Sequence, residues 1–160
     1  MKEAQQEKLK DHLYQKDEII FAYIYGSVAR NQDTRLSDID LAIYIDEDKK
    51  PAAGPFGYRS DLITELQPLA GNDIDLIILN EASNLLAYQV FKEGRLLFNK
   101  DPDLRTKVHA KTVDKYLDFL PMLKVQEKYL NDRIEENRFA VENPLAINYI
   151  LTSRFKLQST

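Results

Sequence analysis

Two aspartates, Asp38 and Asp40, are separated by one residue in a segment that alternates between apolar and polar side chains. In a strand, residues two apart lie on the same face with Cα atoms ~6.7 Å apart, so both carboxylates face one way. Hard divalent cations prefer carboxylate oxygens, and two such ions can clamp the attacking and leaving oxygens of an in-line phosphoryl displacement. The pair therefore predicts a metal site for phosphoryl transfer; the competing interpretation is an ordinary strand with two solvent-facing aspartates.

A third carboxylate on an adjacent strand would complete such a site. Asp75 lies inside the apolar run Ile74 to Leu79, whose composition is typical of a strand. Asp73 competes for the role, because it shares a strand face with Asp75. However, Asp73 directly follows Gly71-Asn72, where turn roles are common. We therefore expect Asp75 to be the third acidic ligand.

A candidate anion-binding turn lies twelve residues before Asp38. Gly26 has no Cβ, so it permits a tight turn and a close approach to a ligand. Ser27 offers a hydroxyl and a backbone N–H at the start of a predicted short helix, where free N–H groups and the helix dipole attract phosphate. Arg30, one turn later, can add a charge-assisted contact. Together Gly26, Ser27 and Arg30 predict a cradle for a triphosphate.

The apolar patterning predicts the elements that must position these residues. Strands are expected at Ile19–Tyr25, Asp38–Ile45, Ile74–Leu79 and Arg95–Phe98. Helices are expected at 3–16, at Tyr58–Leu69, from Ser83 to about Glu93, and from Asp101-Pro102 onward. Pro121 is expected to kink or break the last of these, with a further helix at about 123–139 and an apolar tail at Leu145–Leu157.

Composition excludes several classes of protein. The chain has 160 residues and no cysteine, which excludes disulfides and thiol catalysis, and its two histidines cannot build a histidine-rich metal cage. The longest apolar run is Ile19–Tyr25, far short of the ~20 residues of a membrane span. The polar N-terminus predicts no signal peptide, so a cytoplasmic protein is expected. A net charge of −4 argues against sequence-independent binding along nucleic acid.

The motifs together resemble a known family. Tyr-Gly-Ser-Val-Ala-Arg at 25–30, followed by Leu-Ser-Asp-Ile-Asp-Leu at 36–41, is similar to the signature of the nucleotidyltransferase superfamily that includes DNA polymerase beta. In particular the chain looks like the minimal nucleotidyltransferase antitoxins that partner HEPN toxins. The resemblance covers about residues 5–120, including the strand that carries Asp75 and the segment 87–98. Asn31 stands where the family often has glycine, and because Asn tolerates positive φ we expect little effect.

The resemblance implies an α+β nucleotidyltransferase fold, a small mixed β-sheet flanked by helices. It also implies ATP as nucleotide donor, two Mg²⁺ ions, transfer of AMP to a hydroxyl and release of pyrophosphate. Gly26 and Ser27 would then hold the triphosphate. Asp38 and Asp40 would bind both metal ions, and Asp75 would bind the catalytic one and help to activate the acceptor. In the antitoxins the acceptor is a tyrosine near the ribonuclease motif of the HEPN toxin, so AMPylation blocks the toxin and a hetero-oligomer with it is expected.

We expect a nucleotidyltransferase domain at 1–122 and a C-terminal helical extension at 123–160, which packs on the same domain or on a partner. Two other functions fit the residues. One is a small-molecule (antibiotic) nucleotidyltransferase, which usually needs a larger second lobe than 160 residues allow. The other is an antitoxin that acts by binding and occlusion without chemistry. A transferase that modifies nucleic-acid ends is a weaker choice, because no basic stripe is visible.

Overall fold

The central strand β1 (Ile19–Tyr25) is apolar throughout and almost fully buried. The computed structural model describes residues 3–26 and 38–135. In this part of the chain, three further strands complete one sheet in the order β3-β2-β1-β4: β2 (Ile39–Ile45), β3 (Ile74–Ile78) and β4 (Arg95–Asn99). β1 pairs antiparallel with β2 and β4, whereas β2 and β3 are parallel. The predicted mixed sheet of an α+β fold is confirmed.

Four helices accompany the sheet in the described residues: α1 (Glu3–Tyr14), α2 (Tyr58–Ala70), α3 (Asn84–Glu93) and α4 (Pro102–Glu135). The boundaries follow local chemistry. Gly71 closes α2 in the left-handed conformation, and Ser83 caps α3 by accepting a hydrogen bond from the Leu86 N–H. At the start of α4, the Asp101 carboxylate accepts from the Leu104 N–H at 2.9 Å. None of these helices combines the length and apolar composition needed to cross a membrane.

The sheet has an apolar layer on each side. On one side, α1 and α2 bury Leu9, Leu13, Leu62 and Leu66 against Ile39, Leu41, Ile43 and Ile45 of β2. On the other, α3 and the start of α4 cover Phe21, Tyr23 and Ala42 with Ala87, Val90, Leu104 and Val108. The clean alternation of β2 predicted its two faces. Because Asp40 and Asp75 share the parity of Ala42 and Ile77, their side chains lie on the second face.

The chain divides into two compact units, Met1–Tyr116 and Leu117–Thr160. The sheet belongs to the first, and the boundary falls within α4. Of the kink or break predicted at Pro121, the break is wrong, because α4 includes Pro121 and continues to Glu135. A proline inside a helix costs ~3 kcal/mol, and the strong helix formers on both sides, such as Leu120, Met122 and Lys124, favour continuing the helix. The predicted tail Leu145–Leu157 lies outside the described residues.

Candidate active site

Asp40 and Asp75 are direct neighbours across the parallel pair β2–β3. Adjacent strands lie ~4.8 Å apart, so the two carboxylates, which share a face, are within reach of one ion or ligand. Asp40 is half-buried, and the Asp75 side chain is 52% exposed. The predicted Asp38 is exposed and directly precedes β2, on the same side by parity. The structure thus brings the acidic residues to one edge of one sheet face.

Asp73, the sequence competitor of Asp75, has a different environment. Its carboxylate accepts a hydrogen bond from the Gln67 amide at 3.3 Å, and its backbone carbonyl accepts from the Ile39 N–H at 2.8 Å. Both contacts tie the turn after α2 to the beginning of the sheet. Asp73 therefore has a structural role, whereas the Asp75 side chain stands beside Asp40.

Gly26 follows β1 immediately and lies against the Asp40 carboxylate. Its φ is +68°, a conformation that L side chains rarely adopt. A Cβ at this position would overlap Oδ2 of Asp40 and lie 2.8 Å from its Cγ. The glycine thus permits the positive φ and leaves the space that the carboxylate occupies. The other predicted cradle residues, Ser27 and Arg30, and with them Asn31, lie outside the described residues.

Tyr25 adds a hydroxyl to the same edge, because it is the register partner of Asp40 across β1–β2. Burial, and then the negative charges of Asp75 and Asp40, raise the pKa of its hydroxyl well above the ordinary value, while the Arg59 guanidinium opposes the rise. The hydroxyl therefore stays protonated at neutral pH, available as a hydrogen-bond donor. That it responds to both aspartates places Tyr25 within one electrostatic cluster with them.

Sequence reasoning missed one member of this cluster, Arg59 on α2. Its Nη2 lies 2.9 Å from Oδ1 of Asp75, and its Nε donates to the backbone carbonyl of Leu76. No sequence signal marks it, since it reads as one more charged residue at the start of an amphipathic helix. The contact exists only because β3 is the last strand of the described sheet and leaves its edge accessible to α2.

The donor set suits a hard divalent cation, because Asp38, Asp40 and Asp75 offer only carboxylate oxygens. Within residues 3–26 and 38–135, no three acidic or histidine side chains stand close enough to hold a metal ion. Oδ1 of Asp75 is paired with the Arg59 guanidinium. The residue types therefore fit a divalent cation. In this structure the positive charge beside Asp75 is the Arg59 guanidinium.

Known proteins with similar sequences are a separate source of evidence. The chain is 31% identical over 81 residues to the protein adenylyltransferase MntA of Shewanella oneidensis, which is 51% of this chain and 55% of that protein. The aligned region thus spans about half the length of the curated relative.

Solved structures share the fold. A chain in the crystal structure of a toxin–antitoxin with AMP-PNP superimposes with a TM-score of 0.63 at 23% identity, covering 81% of this chain and 98% of that one. A chain in a re-refined structure of tri-AMPylated Shewanella oneidensis HEPN toxin in complex with MNT antitoxin gives 0.53 at 20% identity, with the same coverage.

The family model described as polymerase beta, nucleotidyltransferase matches residues 7–103. This region contains β1 to β4 and every candidate site residue described above. The match covers more than half of the chain. The protein belongs to the polymerase beta nucleotidyltransferase family.

Proposed function

We propose that this protein is an antitoxin that transfers AMP from ATP to a tyrosine of a HEPN ribonuclease toxin and so inactivates it. The observation that carries the chemistry is the placement of Asp40 beside Asp75, with Gly26 against the Asp40 carboxylate. The protein acceptor is supported by the similarity to MntA and by the fold shared with chains of toxin–antitoxin complexes.

In this proposal Gly26, Ser27 and Arg30 bind the triphosphate. Asp38 and Asp40 would hold two Mg²⁺ ions, and Asp75 would contribute to one of them. Bound magnesium would offset the negative charge that builds up on the phosphates. The tyrosine oxygen forms a bond to the α-phosphorus as the bond from that phosphorus to the bridging oxygen breaks, and pyrophosphate leaves. Asp75 is the carboxylate assigned to receive the hydroxyl proton.

The proposal assigns the chemistry to residues 1–122. The C-terminal extension at 123–160 stays a prediction, packed on the same domain or on the toxin. In this proposal the described residues supply the nucleotide site, and the partner supplies the acceptor hydroxyl. An assay of the proposed function must therefore contain the HEPN toxin and detect its AMPylated form.

The test is transfer of label from α-labelled ATP to a HEPN ribonuclease co-expressed with this chain. Wild type should add one or more AMP units to the toxin, visible as a mass increase of the intact toxin. The double variant D38N/D40N should lose several decades of rate, because the site would lack its charge-stabilising ligands. Full labelling by the double variant would contradict the mechanism.

Two outcomes would favour the other functions. If the toxin is neutralised in the complex without any gain in mass, the protein acts by occlusion. If the toxin stays unlabelled while an aminoglycoside or lincosamide accepts the nucleotide, the acceptor is a small molecule. Either result would overturn the assignment of a protein tyrosine as acceptor.

A further inference from the structure

Arg59 reaches the candidate site from the opposite side of the sheet. It lies in the first turn of α2, whose buried residues Tyr58 and Leu62 pack on the face away from Asp75. Its guanidinium extends to the edge of β3, where it contacts the Asp75 carboxylate at 2.9 Å and the Leu76 carbonyl. The side chain therefore joins α2, which packs on one face of the sheet, to the Asp75 carboxylate on the other face.

The two contacts fix Asp75 more firmly than an ion pair alone. A guanidinium is a rigid planar fork, so a bond from Nε to the backbone of β3 also sets the direction of Nη2. Because Leu76 is the next residue after Asp75, the fork is fixed to the very strand that carries the carboxylate. Both side chains of the pair are 52% exposed, and exposed ion pairs stabilise folds little. The geometry points to orientation of the carboxylate rather than to stability.

Electrostatics favours the same role. Asp40 and Asp75 are like charges on directly paired positions, an arrangement that repels. The positively charged guanidinium of Arg59 contacts Oδ1 of Asp75 and offsets that repulsion. Residues that hold metal-ligating groups in place commonly change metal affinity or activity ~10–100-fold when replaced.

We propose that Arg59 is a positioning residue for nucleotidyl transfer, holding the Asp75 carboxylate in the orientation in which it acts beside Asp40. The proposal rests on the function proposed above. This role requires a side chain that bonds to the Leu76 carbonyl and the Asp75 carboxylate at the same time. Lys cannot do so in the same geometry, because its ammonium is a single point charge.

The discriminating variant is Arg59→Lys, which keeps the charge and loses the fork. We expect kcat for AMP transfer to fall about tenfold or more while KM for ATP changes little, because positioning acts on the reacting geometry. A second readout needs no turnover: titration of the toxin-free protein with Mn²⁺ alone should show about tenfold weaker binding. Arg95→Lys is the matched control, because Arg95 lies on β4 at the opposite edge and contacts Gln6.

A double-variant cycle tests whether Arg59 acts through Asp75. In the Asp75→Asn background, adding Arg59→Lys should weaken Mn²⁺ binding no further, since the carboxylate that it orients is gone. Wild-type kcat and Mn²⁺ affinity in Arg59→Lys would overturn the proposal. So would Arg59→Gln if it binds Mn²⁺ more tightly and turns over as fast as wild type, because the guanidinium would then only compete with the metal. Failure of wild type to label the toxin would instead contradict the proposed function, while the Mn²⁺ titrations still decide the role of Arg59.

Discussion

Gly26 and Asp40 are so close that a single methyl group on residue 26 would occupy the position of the Asp40 carboxylate. The residue that follows β1 and the acidic residue of β2 therefore constrain each other. This contact explains why glycine precedes the aspartates in this chain: it is needed for its positive φ and for the space it leaves. The glycine affects the site by leaving Asp40 in place, separately from any role toward a phosphate.

Replacing Gly26 by Ala should slow transfer strongly by displacing Asp40. The clash should lower AMP-transfer activity by about 10²-fold or more, as expected when a reacting group moves by ~1 Å. The measurement is the initial rate of toxin labelling at saturating ATP. Gly71→Ala is the matched control: its φ is +70°, and its new Cβ would meet only the flexible Gln5 amide. That control should lose about 1 kcal/mol of stability and keep its activity. Equal activities in the two variants would contradict a role for the Gly26–Asp40 contact.

Asp75 and Asp73 offer a direct test of the third carboxylate. Asp75→Asn keeps the shape and removes the charge beside Asp40, so we expect a rate loss of about 10²–10³-fold. Asp73→Asn should stay within a few-fold of wild type, because among the described residues its carboxylate bonds only to the Gln67 amide. Single-turnover labelling of the toxin measures both. The reverse order of effects would move the catalytic role to Asp73.

How much of this site was predictable from sequence depends on the range of the interactions. The alternation of β2 and the apolar runs of β1 and β3 specify strands and faces locally, so the positions of Asp40 and Asp75 on their strands were predictable. Their alignment side by side was not, because it depends on the register of the parallel pair. The role of Arg59 could not be predicted for the same reason. Its contact joins α2, on one face of the sheet, to the Asp75 carboxylate on the other face.

The hydrogen bond between Tyr58 and Glu18 predicts a stability effect. Glu18 is 7% exposed, and Tyr58 donates its hydroxyl to Oε1 of Glu18 at 2.9 Å. Tyr58→Phe would leave a buried carboxylate without this donor and should cost about 1–3 kcal/mol of unfolding free energy. Urea unfolding followed by circular dichroism at neutral pH measures it. Tyr14→Phe is the control, since Tyr14 is 54% exposed and its hydroxyl bonds to none of the described residues. This variant should change stability by under ~0.5 kcal/mol. Equal losses would rule out the specific bond.

Pro121 should be replaceable with a gain in helix stability. Its missing N–H removes one hydrogen bond inside α4. Pro121→Ala should therefore stabilise the helix by up to about 3 kcal/mol. The measurement is a higher melting temperature of the transition that includes this helix. Pro102→Ala is the control, because Pro102 is the first residue of the same helix, where no internal hydrogen bond is lost. A melting temperature unchanged in Pro121→Ala would mean that the surrounding structure already offsets the missing bond.

Glu65 should make stability depend on acid pH. Its carboxylate accepts from the Lys16 ammonium at 2.7 Å and lies 3.0 Å from Nε2 of His12, and the bond from Lys16, then that from His12, lowers the pKa of Glu65 below its ordinary 4.5. A carboxyl with a lower pKa in the folded state contributes stability at neutral pH, and this contribution is lost as the pH falls below 4.5. Glu65→Gln should therefore lose less stability than wild type between pH 7 and about pH 3, measured by urea unfolding.

Glu127→Gln removes the same charge from an exposed residue of α4 that has no ion pair with any described residue. The acid limb of this variant should follow that of wild type. Parallel acid limbs for Glu65→Gln and wild type would show that the ion pairs from His12 and Lys16 to Glu65 contribute nothing measurable to folding. The apolar cluster that contains Leu9, Leu13, Leu62 and Leu66 would then hold α1 and α2 together.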